Sequence, residues 1–557
     1  MRDSPVLYPA AFGLFLVLCR TSALAAPGDL DPAFVGNGKV SIDIGCTLPP
    51  SEQSATTMLR DVQGFLYLVS YCTSPIPNPG GTERPRQVEV LKLDGNGDRV
   101  TSFGANGIAT INTTNADSST GALIDGSGDI YISGQSSGGR ASAWKIDSTS
   151  GSLVTSFGNA GIVAFSGAQN YARAIVQDSN GDLYVIGESV DVTNTFLVFK
   201  INPRGVPVTS FGNGGIATYS PADHTISGAE AAVFDNAGYL YIGGETVTSA
   251  VAGNYDFAVA KINPINGGLV TSFGNHGFAV FDLGHNDDDL VNAMIFDGTA
   301  SVYVAGSTSV PIDANSSRDI AAVVKMDTSS GALLASFGNN GIKEIDLTGD
   351  GSFVNALALD PGGDLYVAGL QADLAKSSYN LAVSKLDDGG NLVAGFGSNG
   401  SIIFTITGID EADSAILDNN GHLYLSGINL DSNGGAQDQR YYLAARLLTA
   451  DNVSSTTLDS SLNPAAVGKN VTFTATVTDS DAAPSGAVTF SDGKTVICAN
   501  VTLISGHATC ATSTLAAATV AHAISARYSG NTGSLGSTSG VLEQKVLGDP
   551  IFHNGFE

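Results

Sequence analysis

Along most of the chain, apolar and polar residues alternate in short runs bounded by glycine- and aspartate-rich turns. No helix-length stretch carries a 3.6-residue apolar period, so the pattern predicts strands throughout. The turns recur. A Phe-Gly-x-x-Gly core begins at Phe103, Phe157, Phe211, Phe273, Phe337 and Phe396, and a diverged copy surrounds Phe34. The spacing is about 60 residues, the length of a repeated supersecondary unit. A second mark is an aspartate, a tight turn and a strand centred on tyrosine, at Tyr67, Tyr131, Tyr184, Tyr241, Tyr303, Tyr366 and Tyr424. A third is a basic residue closing an apolar run, at Lys92, Lys145, Lys200, Lys261, Lys325, Lys385 and Arg446.

Each unit predicts four strands. One follows the Phe-Gly-x-x-Gly turn (161–165), and one is small and apolar (231–234). A hairpin turn of Asp-x-x-Gly type leads into the tyrosine strand, and the last strand runs into the basic residue (257–261). Seven such units over 26–450 predict an all-β, seven-bladed β-propeller, whose radial packing leaves few free edges. The alternative, a β-solenoid, has rungs too short for units of this length. The repeat region opens on a first-type strand (38–42) and ends on a fourth-type strand (442–446), so residues 38–45 are expected to complete the last unit. Beyond 446 the composition shifts to Ser, Thr, Val and Ala. Alternating strands there predict an Ig-like β-sandwich over 452–546, followed by a tail, 547–557.

The pattern Leu30-Asp31-Pro32-Ala33-Phe34, together with Asp360-Pro361-Gly362-Gly363-Asp364-Leu365-Tyr366-Val367-Ala368-Gly369, resembles the bacterial delta-60 repeat over roughly 28–450. The resemblance implies a propeller-like fold and an extracellular setting, and it carries no catalytic residues to transfer. The stretches 486–493 (GAVTFSDG) and 526–531 (ARYSGN) resemble a bacterial Ig-like repeat domain, a spacer or adhesive module. The ending IFHNGFE is similar to one found on many secreted proteobacterial proteins.

Charge narrows the partners. With 53 acidic and 25 basic residues the net charge is −28, which repels nucleic acids and anionic membrane surfaces. Residues 1–25 read as a secretory signal, with Arg2, an apolar run from Ala11 to Cys19 and the Ala23-Leu24-Ala25 cleavage pattern. That run is too short to span a bilayer, and no later stretch is long and apolar enough. A secreted or cell-surface location follows. Its oxidising setting pairs the remaining cysteines as Cys46–Cys72 and Cys498–Cys510, the second expected to staple neighbouring strands around Ser505-Gly506.

Candidate chemistry comes from positions that recur once per unit. Five residues before each turn aspartate stand Thr56, Thr120, Arg173, Glu230, Asn292, Asn355 and Asp413; eight before stand Gln53, Asp117, Asn170, Ser227, Asp289, Ser352 and Asp410. The residue four before is always small, as an innermost strand requires. The ligand-binding candidates at a funnel mouth are therefore Asp117, Arg173, Glu230, Asp289, Asn292, Asn355, Asp410 and Asp413; the alternative makes them solvated loop residues. No catalytic residue is assigned. No cofactor is expected, although the acidic run 284–289 could hold calcium or be a solvated turn. No histidines stand at metal-ligand spacing.

These features point first to a monomeric binding or scaffold protein that recognises an extracellular protein or glycan. The alternative is an extracellular carbohydrate- or lactone-active hydrolase or lyase using Asp289, Asp410 and Asp413. It requires those carboxylates to lie within ~5–10 Å of one another.

Overall fold

The computed structural model describes residues 26–548 apart from 44–56, 74–85, 114–116, 138, 166–169, 190–194, 222–223, 249–253, 286–287, 314–315, 376–377, 405–408, 419, 432–438, 450–453, 480–483, 494, 519, 531–533 and 535. The expected signal segment, Cys46 and the tail beyond 548 lie outside the described residues.

Every described element is a strand. Up to residue 448 they form seven antiparallel sheets whose strands are paired in chain order. The third sheet is typical: Asn170–Gln177, Leu183–Ser189, Thr195–Ile201 and Ile216–Tyr219. The seventh is composite. Its first strand is broken into Ile409–Asp410 and Ser414–Leu417, and its outer strand is Lys39–Ile42, which pairs with Gln439–Leu448 with Lys39 opposite Ala445. Four strands per unit and the late use of the N-terminal strand thus follow the order of the sequence marks.

The core lies between successive sheets. Tyr184, Ile186, Phe196 and Val198 of the third pack against Ala229, Leu240, Ile242 and Ala258 of the fourth. Tyr424, Tyr442, Ala444 and the N-terminal Phe34 and Ile42 pack in the same way against Met58, Leu66 and Leu68 of the first sheet. First strands of neighbouring sheets lie side by side; that of the first sheet, Thr57–Arg60, meets both Ser118–Ile124 and Ser414–Leu417.

The three sequence marks converge on one interior knot per unit. The Phe of Phe-Gly-x-x-Gly meets the unit's tyrosine edge-on, as in Tyr67–Phe103 at 5.9 Å, Tyr241–Phe273 at 5.7 Å and Tyr366–Phe396 at 5.5 Å. Such pairs add roughly 0.5–1.5 kcal/mol beyond their burial. The basic residue lies over the same ring, with Lys261 Nζ 5.0 Å from the Tyr241 centroid. Its charge is satisfied by aspartates or backbone carbonyls, so the recurrent cation is structural. In the first, third, fourth, fifth and seventh units the knot also reaches the next unit: Tyr241 Oη and Lys261 Nζ reach Thr328 O at 2.8 and 2.6 Å. Arg446 of the last unit reaches Gly95 O of the first at 2.7 Å.

Residues 454–547 form two larger sheets and a short parallel pair, Ala465–Ala466 with Val546–Leu547. One larger sheet comprises Ser454–Ser460, Val471–Asp479 and His507–Thr512; the other is built on Ala487–Asp492, Thr495–Thr502 and His522–Tyr528. Phe473, Val477, Val488, Phe490 and Ile524 fill the space between them. Cys498 and Cys510 are disulfide-bonded. The expectation that this bridge staples the paired strands of one hairpin is corrected: the chain turns tightly at Ser505-Gly506, where Ile504 and His507 exchange backbone hydrogen bonds, but the strands on either side join different sheets, Thr495–Thr502 pairing with Ala487–Asp492 and His507–Thr512 with Val471–Asp479. Cys72 is buried and disulfide-bonded.

Candidate active site

A defect in the ladder places the polar side chains that recur in the first strands. Pairing between first and second strands skips Thr120, Arg173, Glu230, Asn292 and Asn355, and in the fourth sheet Ser227 as well. The first five are the residues five before the turn aspartate. A bulged residue is left out of the ladder and its side chain is re-aimed. The bulge also drives a carbonyl toward the second strand, where only glycine fits: a Cβ on Gly187 would stand 1.7 Å from Tyr171 O. The re-aimed side chains reach the neighbouring sheet. Asn292 Nδ2 donates to Val354 O (2.8 Å) and Asn355 Nδ2 to Ala412 O (3.2 Å).

Between the third and fourth sheets this geometry assembles four charged groups. Arg173 donates to Glu188 (3.0 Å) and lies 3.5 Å from Glu230 on the next sheet. Glu245 stands nearby and accepts from Val291 N of the fifth sheet at 2.9 Å. The space they share exists because of Gly228. The same register position carries Ser118, Tyr171, Leu290, Phe353 and Glu411 in other units. A Cβ on Gly228 would lie 3.0 Å from Glu230 Oε1, 3.5 Å from Glu188 Oε2 and 3.6 Å from Glu245 Oε2. Those oxygens are therefore no more than about 7 Å apart, a ceiling that admits the ~5–5.5 Å separation of the carboxylate pairs in retaining glycosidases.

The environments differ. Glu188 and Glu245 are buried, whereas the side chains of Arg173 and Glu230 are 39% and 28% exposed and form the open side. Burial first, and then the charge of Glu230, pushes the Glu245 carboxyl up to about 8, against the pull of Val291 N and Arg173. Burial also raises Glu230, opposed by Arg173. A carboxyl that holds its proton near neutrality beside an arginine-paired carboxylate is an acid–base couple.

The other expected site residues fall elsewhere. Asp117 is fully buried and accepts from both the backbone N and the hydroxyl of Thr113, with the hydroxyl at 2.9 Å; it caps the loop after the preceding outer strand. Asp289 does likewise, accepting from Leu283 N at 2.9 Å. The residues eight before the turn thus face the seam between sheets, because the strand begins there and has not yet reached the bulge. Asp289 lies with Asp256 and Asp282, so the expected convergence of Asp289, Asp410 and Asp413 is corrected as far as Asp289 is concerned. Asp413 is half-buried, and its N–H donates to Ser426 O at 2.8 Å. Asp410 pairs with Asn429 along the backbone; its side chain lies outside the described residues.

Glu188 and Glu245 escaped a search restricted to first strands. The available signal was one position further along: each follows the glycine of its tyrosine strand, where other units carry Gln135, Ser307 and Leu370.

The model of the bacterial Ig-like domain (group 3) family matches residues 458–547, and the C-terminal domain is of that family. No match to the delta-60 repeat family was found for the preceding region. No curated protein matches the chain. Among solved structures, the α-L-arabinofuranosidase Arb93A from Fusarium graminearum, in complex with an iminosugar inhibitor, aligns at 10% identity and a TM-score of 0.36, over 74% of this chain and 98% of its own. A GH43_12 protein retrieved from capybara gut metagenome aligns at 11% identity and a TM-score of 0.28, over 90% of this chain and 84% of its own. At such scores the likeness assigns no chemistry to this chain. The expectation of a binding scaffold with a solvated polar rim is corrected on the structure itself: the repeat region buries the carboxylates of Glu188 and Glu245 beside Arg173 and Glu230.

Proposed function

We propose that this protein is an extracellular carbohydrate-active hydrolase whose reaction centre is the Arg173–Glu188–Glu230–Glu245 cluster. The observation that carries the reading is the convergence of three carboxylates on the side-chain gap at Gly228. Glu245 is the proton donor to the leaving oxygen. Glu188, oriented by Arg173, serves as base or nucleophile, and the partly exposed Glu230 and Arg173 meet the sugar hydroxyls. The seven sheets are proposed to close as a propeller of delta-60-like units. The Arg446–Gly95 contact and the packing of the seventh sheet on the first support this closure. Among the described residues no helix is long and apolar enough to cross a membrane. Export by the 1–25 segment completes the proposal, with the Ig-like domain as spacer.

The test is reducing-sugar release from a panel of plant and bacterial cell-wall polysaccharides and aryl glycosides. Wild type should turn over at least one. Glu188→Gln and Glu245→Gln should each lose at least about 100-fold in kcat, and Gly228→Leu, which restores the residue of the fifth sheet, should abolish turnover while keeping the fold. Hydrolysis undiminished in a Glu188→Gln/Glu245→Gln double variant, or no hydrolysis of any substrate by wild type, overturns the assignment.

A further inference from the structure

Between the fourth and fifth sheets, three carboxylates from separate segments meet. Asp256 lies on Tyr255–Ile262, Asp282 directly follows Phe278–Phe281, and Asp289 opens Asp289–Phe296. One oxygen from each lies within 4.8 Å of the other two. Asp289 is 2% exposed. Its Oδ2 takes the Leu283 N–H, while its Oδ1 is buried with no hydrogen-bond partner among the described residues. The hydroxyl of Thr308, opposite Asp289 in strand register, is also fully buried and faces the Asp289 carboxylate. A buried carboxylate oxygen with no formed hydrogen bond, beside a buried hydroxyl and two further carboxylates, is an arrangement that a bound cation would satisfy.

The repeat supplies an internal control. Counting by the same marks, the equivalent triads at other seams are Gln87, Asn112 and Asp117; Arg140, Ser166 and Asn170; Thr195, Ser220 and Ser227; Ile320, Asp346 and Ser352; and Asn380, Thr405 and Asp410. None holds more than one carboxylate. At the first of them, the buried Asp117 has its oxygen occupied by Thr113. The seam geometry therefore needs only one capping side chain. Asp256 and Asp282 are acids beyond the one that the cap requires, and Asp282 engages the loop through a bond from Gly284 N to its Oδ1 at 2.7 Å.

We infer that Asp256, Asp282 and Asp289, with the Thr308 hydroxyl, form a divalent-cation site that clamps the fourth sheet to the fifth, and that its ion is calcium. All-oxygen ligands suit a hard cation. Donor oxygens that all lie within 4.8 Å of one another fit the ~4.6–5.2 Å diameter of a calcium coordination sphere, and calcium accepts the irregular geometry of ligands drawn from three segments more readily than magnesium does. Solvent at the exposed Asp282 supplies the remaining ligands and the path of entry.

The test uses the full chain stripped with EDTA, titrated with calcium alone by calorimetry and followed by thermal melting. Wild type should bind one calcium ion at this site with a dissociation constant at or below ~10⁻³ M and melt at a higher temperature when loaded. Asp282→Asn, at an exposed position that leaves the Leu283 cap intact, should weaken binding at least about tenfold and remove the melting shift. Asp346→Asn, its counterpart at the next seam, should change neither. The inference is overturned by the absence of calcium binding up to about 10 mM, by binding that survives Asp282→Asn and Asp289→Asn alike, or by equal affinity for magnesium.

Discussion

Replacing Glu245 with glutamine should stabilise the protein, and by an amount that depends on pH. Glu245 is 6% exposed, and its folded carboxyl is raised from the ordinary 4.5 to about 8. Between those values the unfolded chain has released the proton and the folded chain has kept it, so unfolding free energy falls by ~1.4 kcal/mol per pH unit. The stability that the protonated form provides is whole below pH 4.5 and gone above about 8. The full span sets a ceiling of about 5 kcal/mol. Relaxation and water entry at a buried charge reduce this to roughly 2–5 kcal/mol. Glutamine keeps an oxygen for Val291 N and cannot ionise. The gap between Glu245→Gln and wild type should therefore be small at pH 4.5, widen through neutrality and level off above pH 8. Urea unfolding at closely spaced pH values, read from the buried Trp144, measures it. Glu230 still titrates in the variant, so a residual slope remains. A gap that is constant from pH 4.5 to 9 would refute the burial argument, and with it the assignment of Glu245 as a protonated acid.

Other consequences are equally measurable. Gly187→Ala forces a Cβ to 1.7 Å from Tyr171 O and should cost about 3–5 kcal/mol, whereas Gly126→Ala, with open space around it, should stay within ~0.5 kcal/mol; comparable urea midpoints would disprove the bulge account. Deleting residues 26–45 removes the outer strand of the seventh sheet and the Phe34 ring from its core, and calorimetry should show a marked fall in the melting temperature of the repeat region. An unchanged melt would mean that the strand is dispensable. Cys498→Ser with Cys510→Ser opens a bridge of sequence separation 12 and should lower the stability of the C-terminal domain by about 3 kcal/mol, leaving the repeat-region transition in place.

What could be read from sequence was what repeats. Phe103 and its counterparts, the turn aspartates, the tyrosines and the terminal lysines recur because each unit solves the same packing problem, and they locate the strands and the composite last sheet. The register of the polar first-strand residues was legible too, and the bulge at Arg173 and Glu230 explains why those positions stay polar. The site itself was not, because it depends on departures from the repeat. Gly228 is an omission, Glu188 and Glu245 replace residues that vary freely elsewhere, and all three matter only through their relation across two sheets. The same holds for Asp256 and Asp282, which single-strand counting passes over. The Cys498–Cys510 pairing followed from proximity in sequence, but its span across the sandwich required knowing that the chain changes sheets at Ser505-Gly506.

The strand Lys39–Ile42 has a consequence for the order of events during synthesis. Its partner, Gln439–Leu448, is made roughly 400 residues later, so the strand must wait through the birth of six complete sheets. Closing a loop of that length costs about 3 kcal/mol more chain entropy than closing a hairpin of ~10 residues, so this pairing is the natural last step. Until it forms, the seventh sheet presents the free edge of Gln439–Leu448 and Phe34 lacks its pocket. A chain cut short before residue 448 can never cover that edge and stays open to proteolysis and self-association. The first strand made thus reports on whether the last was finished.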